Sequence, residues 1–214
     1  MKSESTGRTM RIIEGAIAGV VFILLGLLLF RLWLHSYYPK DVSTIIPTEG
    51  LRAAYEAGEL QLKTQKLGVE YDDPNEGLFF ADCLTFDEGV GDVQIAIRYN
   101  KSTLTKLAER HGAAFDPAAD EPFSYRIFCC VGEDEEGNLI GRTYTPSEWR
   151  DTTLAMYHYR RLAFSDVDLT GVYWIRLDIF INGAEEPETD IAIYENSVRY
   201  SEFSDYELKG NEFS

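Results

Sequence analysis

Few side chains in this sequence are suited to covalent catalysis. Its three histidines and three cysteines are His35, His111, His158, Cys83, Cys129 and Cys130. A thiol activated by a neighbouring imidazole is a nucleophile, and Cys129 or Cys130 with His158 is the candidate pair of that kind. The sequence has no G-x-S-x-G, no Gly-rich phosphate loop with Lys, no H-E-x-x-H and no C-x-x-C. We therefore predict no catalytic residue, no cofactor and no enzymatic activity.

The cysteines suggest a different role. An odd number of cysteines argues against a scaffold built on disulfides. If residues 123–131 form a strand, Cys129 shares a face with Tyr125 and Ile127, and Cys130 points to the other face. Cys83 and Cys129 either form a disulfide in an oxidising compartment or pack as small apolar side chains, and the sequence favours the second alternative.

Two acidic segments, Asp72-Asp73 and Glu133–Glu136, are the candidates for a metal site. Calcium takes six to eight oxygen ligands. Neither segment has the D-x-D-x-D-G spacing that a calcium loop requires. We therefore interpret both as solvated turns and predict no bound metal.

The negative charge is concentrated after the first 35 residues. The chain has a net charge of −16, and residues 36–214 hold 16 of its 20 basic and 34 of its 36 acidic residues, a net charge of −18. A segment this acidic repels phosphate backbones, which argues against nucleic acid as a partner. Its length is ample for one hydrophobic core, so we expect a folded acidic domain.

Residues 12–34 form a near-continuous apolar segment that predicts a single transmembrane helix. Sixteen successive residues lack any charge, amide or hydroxyl, and about 20 apolar residues cross a bilayer. The segment is too long for a secretory signal, and no small-x-small cleavage site follows it, so we interpret it as a retained signal-anchor. Because Lys2, Arg8 and Arg11 precede it, the positive-inside rule places the N-terminus in the cytoplasm and the C-terminal domain outside.

Gly15, Gly19 and Gly26 form a small-residue face on this helix. Small residues at this spacing allow two transmembrane helices to approach closely. They either mark a contact with a protein partner or a second copy, or reflect the general frequency of glycine in such helices.

The rest of the chain alternates short strands and turns. Helical spacing predicts a helix at 48–57 that ends at Gly58. Capping residues and helical spacing predict a second helix at 101–111, and we expect it to cover an end of the sheets. Thr145–Arg150 is expected to begin a single helical turn with Pro146 at its first position. Period-two patterning predicts a half-buried strand at 93–99. The other predicted strands are 60–64, 78–86, 123–131, 139–144, 157–164, 172–181, 191–194 and 198–203.

These elements define five segments and one fold class. The segments are a cytoplasmic tail at 1–11, a transmembrane helix at 12–34, a juxtamembrane connector at 35–58, a β-sandwich domain at 59–204 and a polar tail at 205–214. Short strands separated by regular turns predict an antiparallel β-sandwich with one short crossover helix.

Two resemblances bear on this prediction. Asp168-Leu-Thr-Gly-Val-Tyr-Trp-Ile175 resembles the tyrosine corner of immunoglobulin-like domains, which implies that the Tyr173 hydroxyl bonds back to backbone near the corner. Ile175 stands where antibody domains have a cysteine. Residues 51–107, notably Val93–Leu107, resemble uncharacterised bacterial single-pass membrane proteins, which implies a setting in the cell envelope and supplies no activity.

Three functional hypotheses remain. The first is a membrane-anchored, extracytoplasmic binding or scaffolding domain of the bacterial envelope, without catalysis. The alternative is an accessory subunit of a membrane transport or secretion complex that associates through the transmembrane helix. The third is an envelope enzyme, which would require a polar cleft with converging titratable groups.

Overall fold

The structure is a computed structural model that describes residues 3–70, 78–182, 189–195, 203–209 and 212–213. The chain divides into two compact units, the first ending at Tyr38 and the second beginning at Pro39.

The first unit is a single long helix, α1 (Ser3–Ser36). Its apolar part, Ile13–Trp33, is 21 residues long and has no buried side chains. At 1.5 Å per residue this part is about 31 Å long, close to the thickness of a bilayer core. The described residues therefore contain one helix long and apolar enough to cross a membrane.

The second unit contains three helices and ten strands among the described residues. Its helices are α2 (Lys40–Ser43), α3 (Glu49–Ala57) and α4 (Lys101–His111), the last followed by a 3₁₀ turn at Gly112–Ala114. Its strands are β1 (Lys63–Glu70), β2 (Phe79–Asp87), β3 (Asp92–Asn100), β4 (Phe123–Glu133), β5 (Leu139–Tyr144), β6 (Glu148–Leu154), β7 (Tyr157–Phe164), β8 (Trp174–Ile181), β9 (Thr189–Glu195) and β10 (Ser204–Asp205).

The strands form two antiparallel sheets that enclose one core. The first sheet has the order β10-β1-β2-β3-β7-β6, and the second has the order β5-β4-β8-β9. One cluster of buried side chains takes residues from both sheets, among them Ile95 and Leu162 from the first and Ile127 and Leu177 from the second. The prediction of a mainly β, antiparallel sandwich is confirmed.

The helices predicted at 48–57 and 101–111 are present as α3 and α4. Capping interactions at their ends stabilise them. The Asn100 side chain accepts a hydrogen bond from the Thr103 N–H, and the Thr48 side chain accepts one from the Leu51 N–H. These are N-cap interactions, which satisfy backbone donors that a helix leaves unpaired. Gly58 ends α3 with φ of +72°, the left-handed conformation that glycine adopts without strain.

Strand β3 is buried on both faces, although its alternation predicts a half-buried strand. Val93, Ile95 and Ile97 face the core, and Gln94 and Arg98 on the opposite face are also buried. The segment that follows the transmembrane helix covers part of this second face, because the backbone of Ile46 hydrogen-bonds to the Gln94 side chain. Val42, Ile45 and Ile46, which fall in the predicted connector, are accordingly buried.

The predicted helical turn at Thr145–Arg150 is wrong. Residues from Glu148 onward form β6, which pairs with β7 from Glu148↔Ala163 to Leu154↔Tyr157. The aromatic and β-branched residues of β6 favour a strand. The turn between the two strands was missed because its left-handed residue is Ala155, with φ of +54°, in place of the usual glycine or asparagine.

The C-terminal residues contribute to the domain. β10 pairs with β1, and Tyr206 and Phe213, which fall in the predicted polar tail, pack against the small cluster Ile45, Leu51 and Leu62. The first strand of the last predicted hairpin lies in β9. Its turn at Asn196-Ser197 and most of its second strand lie outside the described residues.

Candidate functional site

A pocket of about 200 Å³ lies at the end of the first sheet where β3 runs into α4. The β6–β7 hairpin and the loop before β4 complete its wall. The lining side chains that carry polar or charged groups include Tyr99, Asp120, Asp151, Thr153, His158 and Arg160. The pocket therefore brings together polar and charged groups from four segments of the chain.

The Arg160 guanidinium is held by two carboxylates. Its Nε and Nη2 donate to the two Asp151 oxygens at 2.6 Å each, and its Nη1 and Nη2 donate to the Glu121 carboxylate at 2.6 and 3.2 Å. Bidentate pairs of this kind fix orientation as well as charge. Although burial acts to lower the pKa of Arg160, the hydrogen bonds that its guanidinium donates to Asp151 and Glu121 raise it. The guanidinium is therefore a permanent cation fixed in the pocket wall.

His158 presents a neutral ring to the same pocket. It stacks on Tyr99 with the ring centroids 5.1 Å apart and the planes 12° from parallel, and its Nδ1 lies 3.2 Å from the Thr153 hydroxyl. Partial burial lowers the pKa of His158, and the charge of Lys101 acts in the same direction. The imidazole is accordingly uncharged at neutral pH.

The pocket as a whole is electronegative. Asp120 and Asp151 line it together with Arg160, and Glu121 binds the same guanidinium. Among the lining groups two carboxylates outweigh one guanidinium and a neutral imidazole, so the net charge of the pocket lining is −1. Chemically, the site offers carboxylate and hydroxyl acceptors, aromatic rings and a fixed cation that is already paired.

The structure does not bring His158 together with Cys129 or Cys130. Both cysteines lie in β4 in register with β8 residues Ile175 and Trp174, whereas the pocket lies at the end of the first sheet. Cys129 is buried in the core, where burial raises the pKa of its thiol to about 12. A thiol with that pKa is protonated at neutral pH and is a poor nucleophile.

The two cysteines considered for a disulfide are unbridged. Cys83 and Cys129 are free thiols, as is Cys130. The Cys83 sulfur lies 3.9 Å from Arg161 Nη1, and burial raises the pKa of its thiol. Cys129 behaves as the small apolar residue that the strand pattern indicates.

The corner at Asp168–Ile175 has a different bonding pattern from the one its resemblance implies. The Tyr173 hydroxyl accepts a hydrogen bond from the Cys130 thiol, 3.1 Å away. The Tyr173 N–H donates to the Cys130 carbonyl at 3.0 Å. Tyr173 therefore connects β4 to the start of β8 and does not close the corner on its own backbone.

The remaining predicted site residues lie apart from the pocket. Gly15, Gly19 and Gly26 are in α1, and a methyl group added at any of them would meet no atom within 4 Å. The loop at Glu133–Glu136 is a turn in which Asp134 Oδ1 accepts from the Asn138 and Glu136 N–H groups. Asp72-Asp73 lies outside the described residues. No group of three His, Cys, Asp or Glu side chains in the described ranges is arranged to hold a metal.

Sequence reasoning missed the residues that build the pocket. Glu121 and Arg160 are 39 positions apart, so no local pattern relates them. One signal was present, because two adjacent arginines at 160 and 161 stand inside a predicted strand. Charged side chains in such positions need partners when they are buried.

No protein-family model matches this chain, and the comparison with curated proteins finds no similar one. The geometry of the pocket and the apolar helix are therefore the observations from which a function is inferred.

Proposed function

We propose that this protein is a membrane-anchored, non-enzymatic binding domain of the bacterial cell envelope, and that the pocket beside His158 is its binding site. In this proposal α1 stays in the cytoplasmic membrane with the N-terminus inside, and the domain from Pro39 onward lies on the outer side. The observation that carries the proposal is the preformed pocket of about 200 Å³, in which polar groups from four parts of the chain converge.

The construction of the pocket favours binding over reaction. Its groups hold each other in place: Asp151 and Glu121 bind four of the five N–H groups of Arg160, and the Thr153 hydroxyl contacts His158 Nδ1. Binding sites in proteins are usually concave, largely preformed and provided with a few fixed polar groups. A site whose polar groups are locked before the ligand arrives loses little entropy on binding.

The place of the pocket in the fold supports the same function. Loops at the ends of a sandwich are where such domains carry binding sites, and the pocket lies at a sheet end beside the loop that precedes β4. An immunoglobulin-like form of the sandwich, suggested by the resemblance at Asp168–Ile175, belongs to this proposal, although the bonding of Tyr173 differs from that of a tyrosine corner.

A test by NMR can use the small number of histidines. The full chain, labelled at histidine and held in uncharged detergent micelles, would be titrated with three fragments: n-butylammonium, n-butanol and butyrate. We expect at least one of them to shift the His158 signals while His35 and His111 stay in place. If none of the three shifts His158, the pocket is not a binding site and the proposal fails.

A matched pair of variants links any such shift to the pocket. Ala119 lines the pocket, and Ala113, in the 3₁₀ turn, is exposed and does not line it. Ala119→Trp should fill the cavity and abolish the shift, whereas Ala113→Trp should leave it unchanged.

A second candidate function is that the protein serves as an accessory subunit of a membrane complex. This role is compatible with ligand binding by the domain, and the geometry of α1 favours it. At 100° per residue, Gly15, Gly19 and Gly26 fall within about 40° of one another on the helix. All three are open, so another helix could approach closely at this face. Gly19→Leu should reduce co-purification of a partner or a second copy, with Ala18→Leu as the control; equal recovery with both variants would refute this role.

A further inference from the structure

We propose that the pocket selects a primary ammonium or guanidinium group, carried either by a small free amine or by a Lys or Arg side chain of a partner polypeptide. This inference rests on the proposed function, since it names the chemistry that the binding site would recognise.

The first argument is that the carboxylates at the pocket are more exposed than its cation. Arg160 is 7% exposed and is already bound by two carboxylates, so it offers little to an anionic ligand. In contrast, the side chains of Asp151 and Glu121 remain 45% and 42% exposed although both are ion-paired. An ionised carboxylate has about four lone-pair positions, and the contacts with Arg160 leave some of them free for an added donor.

Asp120 adds a second source of negative charge. It lines the pocket, and its side chain is exposed. With His158 neutral, no second cation in the pocket lining offsets it. A cation entering the pocket therefore meets a lining with a net charge of −1, which attracts it, and an anion is repelled.

The wider charge of the domain acts in the same direction. Residues 36–214 carry a net charge of −18, and a field of that sign concentrates small cations near the surface and lowers the local concentration of anions. The domain therefore disfavours phosphate and carboxylate ligands before they reach the pocket.

The second argument is size. Pockets for drug-sized ligands have volumes of about 300–1,000 Å³, and this one is smaller, at about 200 Å³. It suits one side chain or a short amine.

The same histidine-labelled chain tests the charge preference directly. We expect n-butylammonium and n-butylguanidinium to bind at the pocket at least about fivefold more tightly than n-butanol, because only the cations gain the attraction of the carboxylates. Butyrate should bind more weakly than n-butanol. If n-butanol or butyrate binds as tightly as n-butylammonium, the pocket is a binding site without cation selectivity, and this inference is overturned while the proposed function stands. If none of the four probes binds, both fail.

Removing one charge without changing shape gives a second test. Asp120→Asn should weaken n-butylammonium binding by about twofold to fivefold, the range for an exposed ion pair, and should leave n-butanol binding unchanged. The control is Glu135→Gln, which removes the same charge from the exposed loop between β4 and β5. Equal effects of the two variants, or no effect of Asp120→Asn, would contradict a specific role for the pocket charge.

Two further probes distinguish the sources of the cation. A capped tripeptide with a central lysine that binds more tightly than n-butylammonium indicates a partner polypeptide, and spermidine that does so indicates a free amine. Tighter binding by a capped tripeptide with a central glutamate would overturn the inference.

Discussion

The side-chain amide of Gln94 pairs with both backbone polar groups of Ile46. The Ile46 N–H donates to Gln94 Oε1 at 2.8 Å, and Gln94 Nε2 donates to the Ile46 carbonyl at 2.7 Å. Gln94 is fully buried on β3, and Arg161 Nε also donates to its Oε1 at 2.8 Å. The Gln94 side chain thus makes the two hydrogen bonds that Ile46 would make with a neighbouring strand. These bonds hold in place the segment that follows the transmembrane helix in the chain.

Loss of the Gln94 amide should destabilise the domain strongly. Gln94→Ala leaves the Ile46 N–H and the Arg161 Nε buried without this partner, while the Ile46 carbonyl keeps its bond from the Thr48 N–H. A buried unsatisfied group costs about 1–3 kcal/mol. We expect a total loss of about 2–4 kcal/mol, measured as thermal unfolding of the full chain in micelles by near-ultraviolet circular dichroism. Gln61→Ala, at an exposed position, is the control and should change stability by less than about 0.5 kcal/mol. A similar unfolding temperature for both variants would show that the amide is not needed.

The same buried region contains a carboxyl group whose pKa is raised. Asp92 accepts from the Thr48 hydroxyl at 2.6 Å and from Gln94 Nε2 at 3.0 Å. Burial nevertheless raises the pKa of Asp92 to about 6. The folded state therefore binds the proton more tightly than the unfolded state does, and Asp92 contributes a stabilisation that is complete below about pH 4 and is lost as the pH rises through about 6.

Asp92→Asn should remove this pH dependence. Between pH 4 and pH 7 the wild-type chain should lose up to about 3 kcal/mol more stability than the variant does, since one pKa unit corresponds to about 1.4 kcal/mol. The measurement is the difference in unfolding free energy between the two proteins at each pH, which cancels contributions from other groups. A difference that stays constant over this range, or that changes in the opposite direction, would contradict the raised pKa.

Gly91 is a position at which any side chain should be harmful. Its φ is +71°, and a Cβ there would lie 2.6 Å from the Val167 carbonyl oxygen. Its carbonyl also accepts from the Val167 N–H at 2.8 Å, so the two backbones cannot separate without losing that bond. Gly91→Ala therefore combines a disfavoured backbone conformation with a steric clash, and we expect a loss of about 2–4 kcal/mol.

Gly137 provides the matched control for this prediction. Its φ is +83°, but a Cβ there would meet no atom within 4 Å. Gly137→Ala should therefore cost only about 1 kcal/mol, the strain of the backbone alone. Thermal unfolding of the two variants separates the clash from the conformation, and equal losses would show that the contact with Val167 is unimportant.

The features that sequence predicts correctly here are local ones. The helices α3 and α4 carry their own capping residues, Thr48 and Asn100, within one turn of the helix start. The core face of β3 follows from strict alternation of Val93, Ile95 and Ile97. In each case the residues that decide the structure are neighbours in the chain, so a pattern in the sequence is sufficient.

The features that sequence does not predict depend on distant residues. Gln94 and Arg161 look like solvent-facing residues of a half-buried strand, and they are buried because residues 42–46 cover them. The pocket depends on Glu121 meeting Arg160 across 39 positions. The β6–β7 hairpin lacks the glycine that usually marks such a turn. No short window of sequence contains both Gln94 and residues 42–46, or both Glu121 and Arg160. The hairpin is local, and sequence does not predict it because its turn lacks the usual residues.

The orientation of the protein in the membrane is the last prediction. Lys2, Arg8 and Arg11 precede the apolar span, and the positive-inside rule keeps such a flank in the cytoplasm. In intact cells, a membrane-impermeant maleimide should therefore label Glu135→Cys, in the exposed loop between β4 and β5, and should not label Ser5→Cys. Wild-type chain gives the background, which we expect to be low because Cys129 and Cys130 are buried and Cys83 is half-buried. Labelling of Ser5→Cys alone would indicate the opposite orientation. Labelling of both variants only after the cells are lysed would place the domain in the cytoplasm, and the proposed extracytoplasmic binding function would then fail.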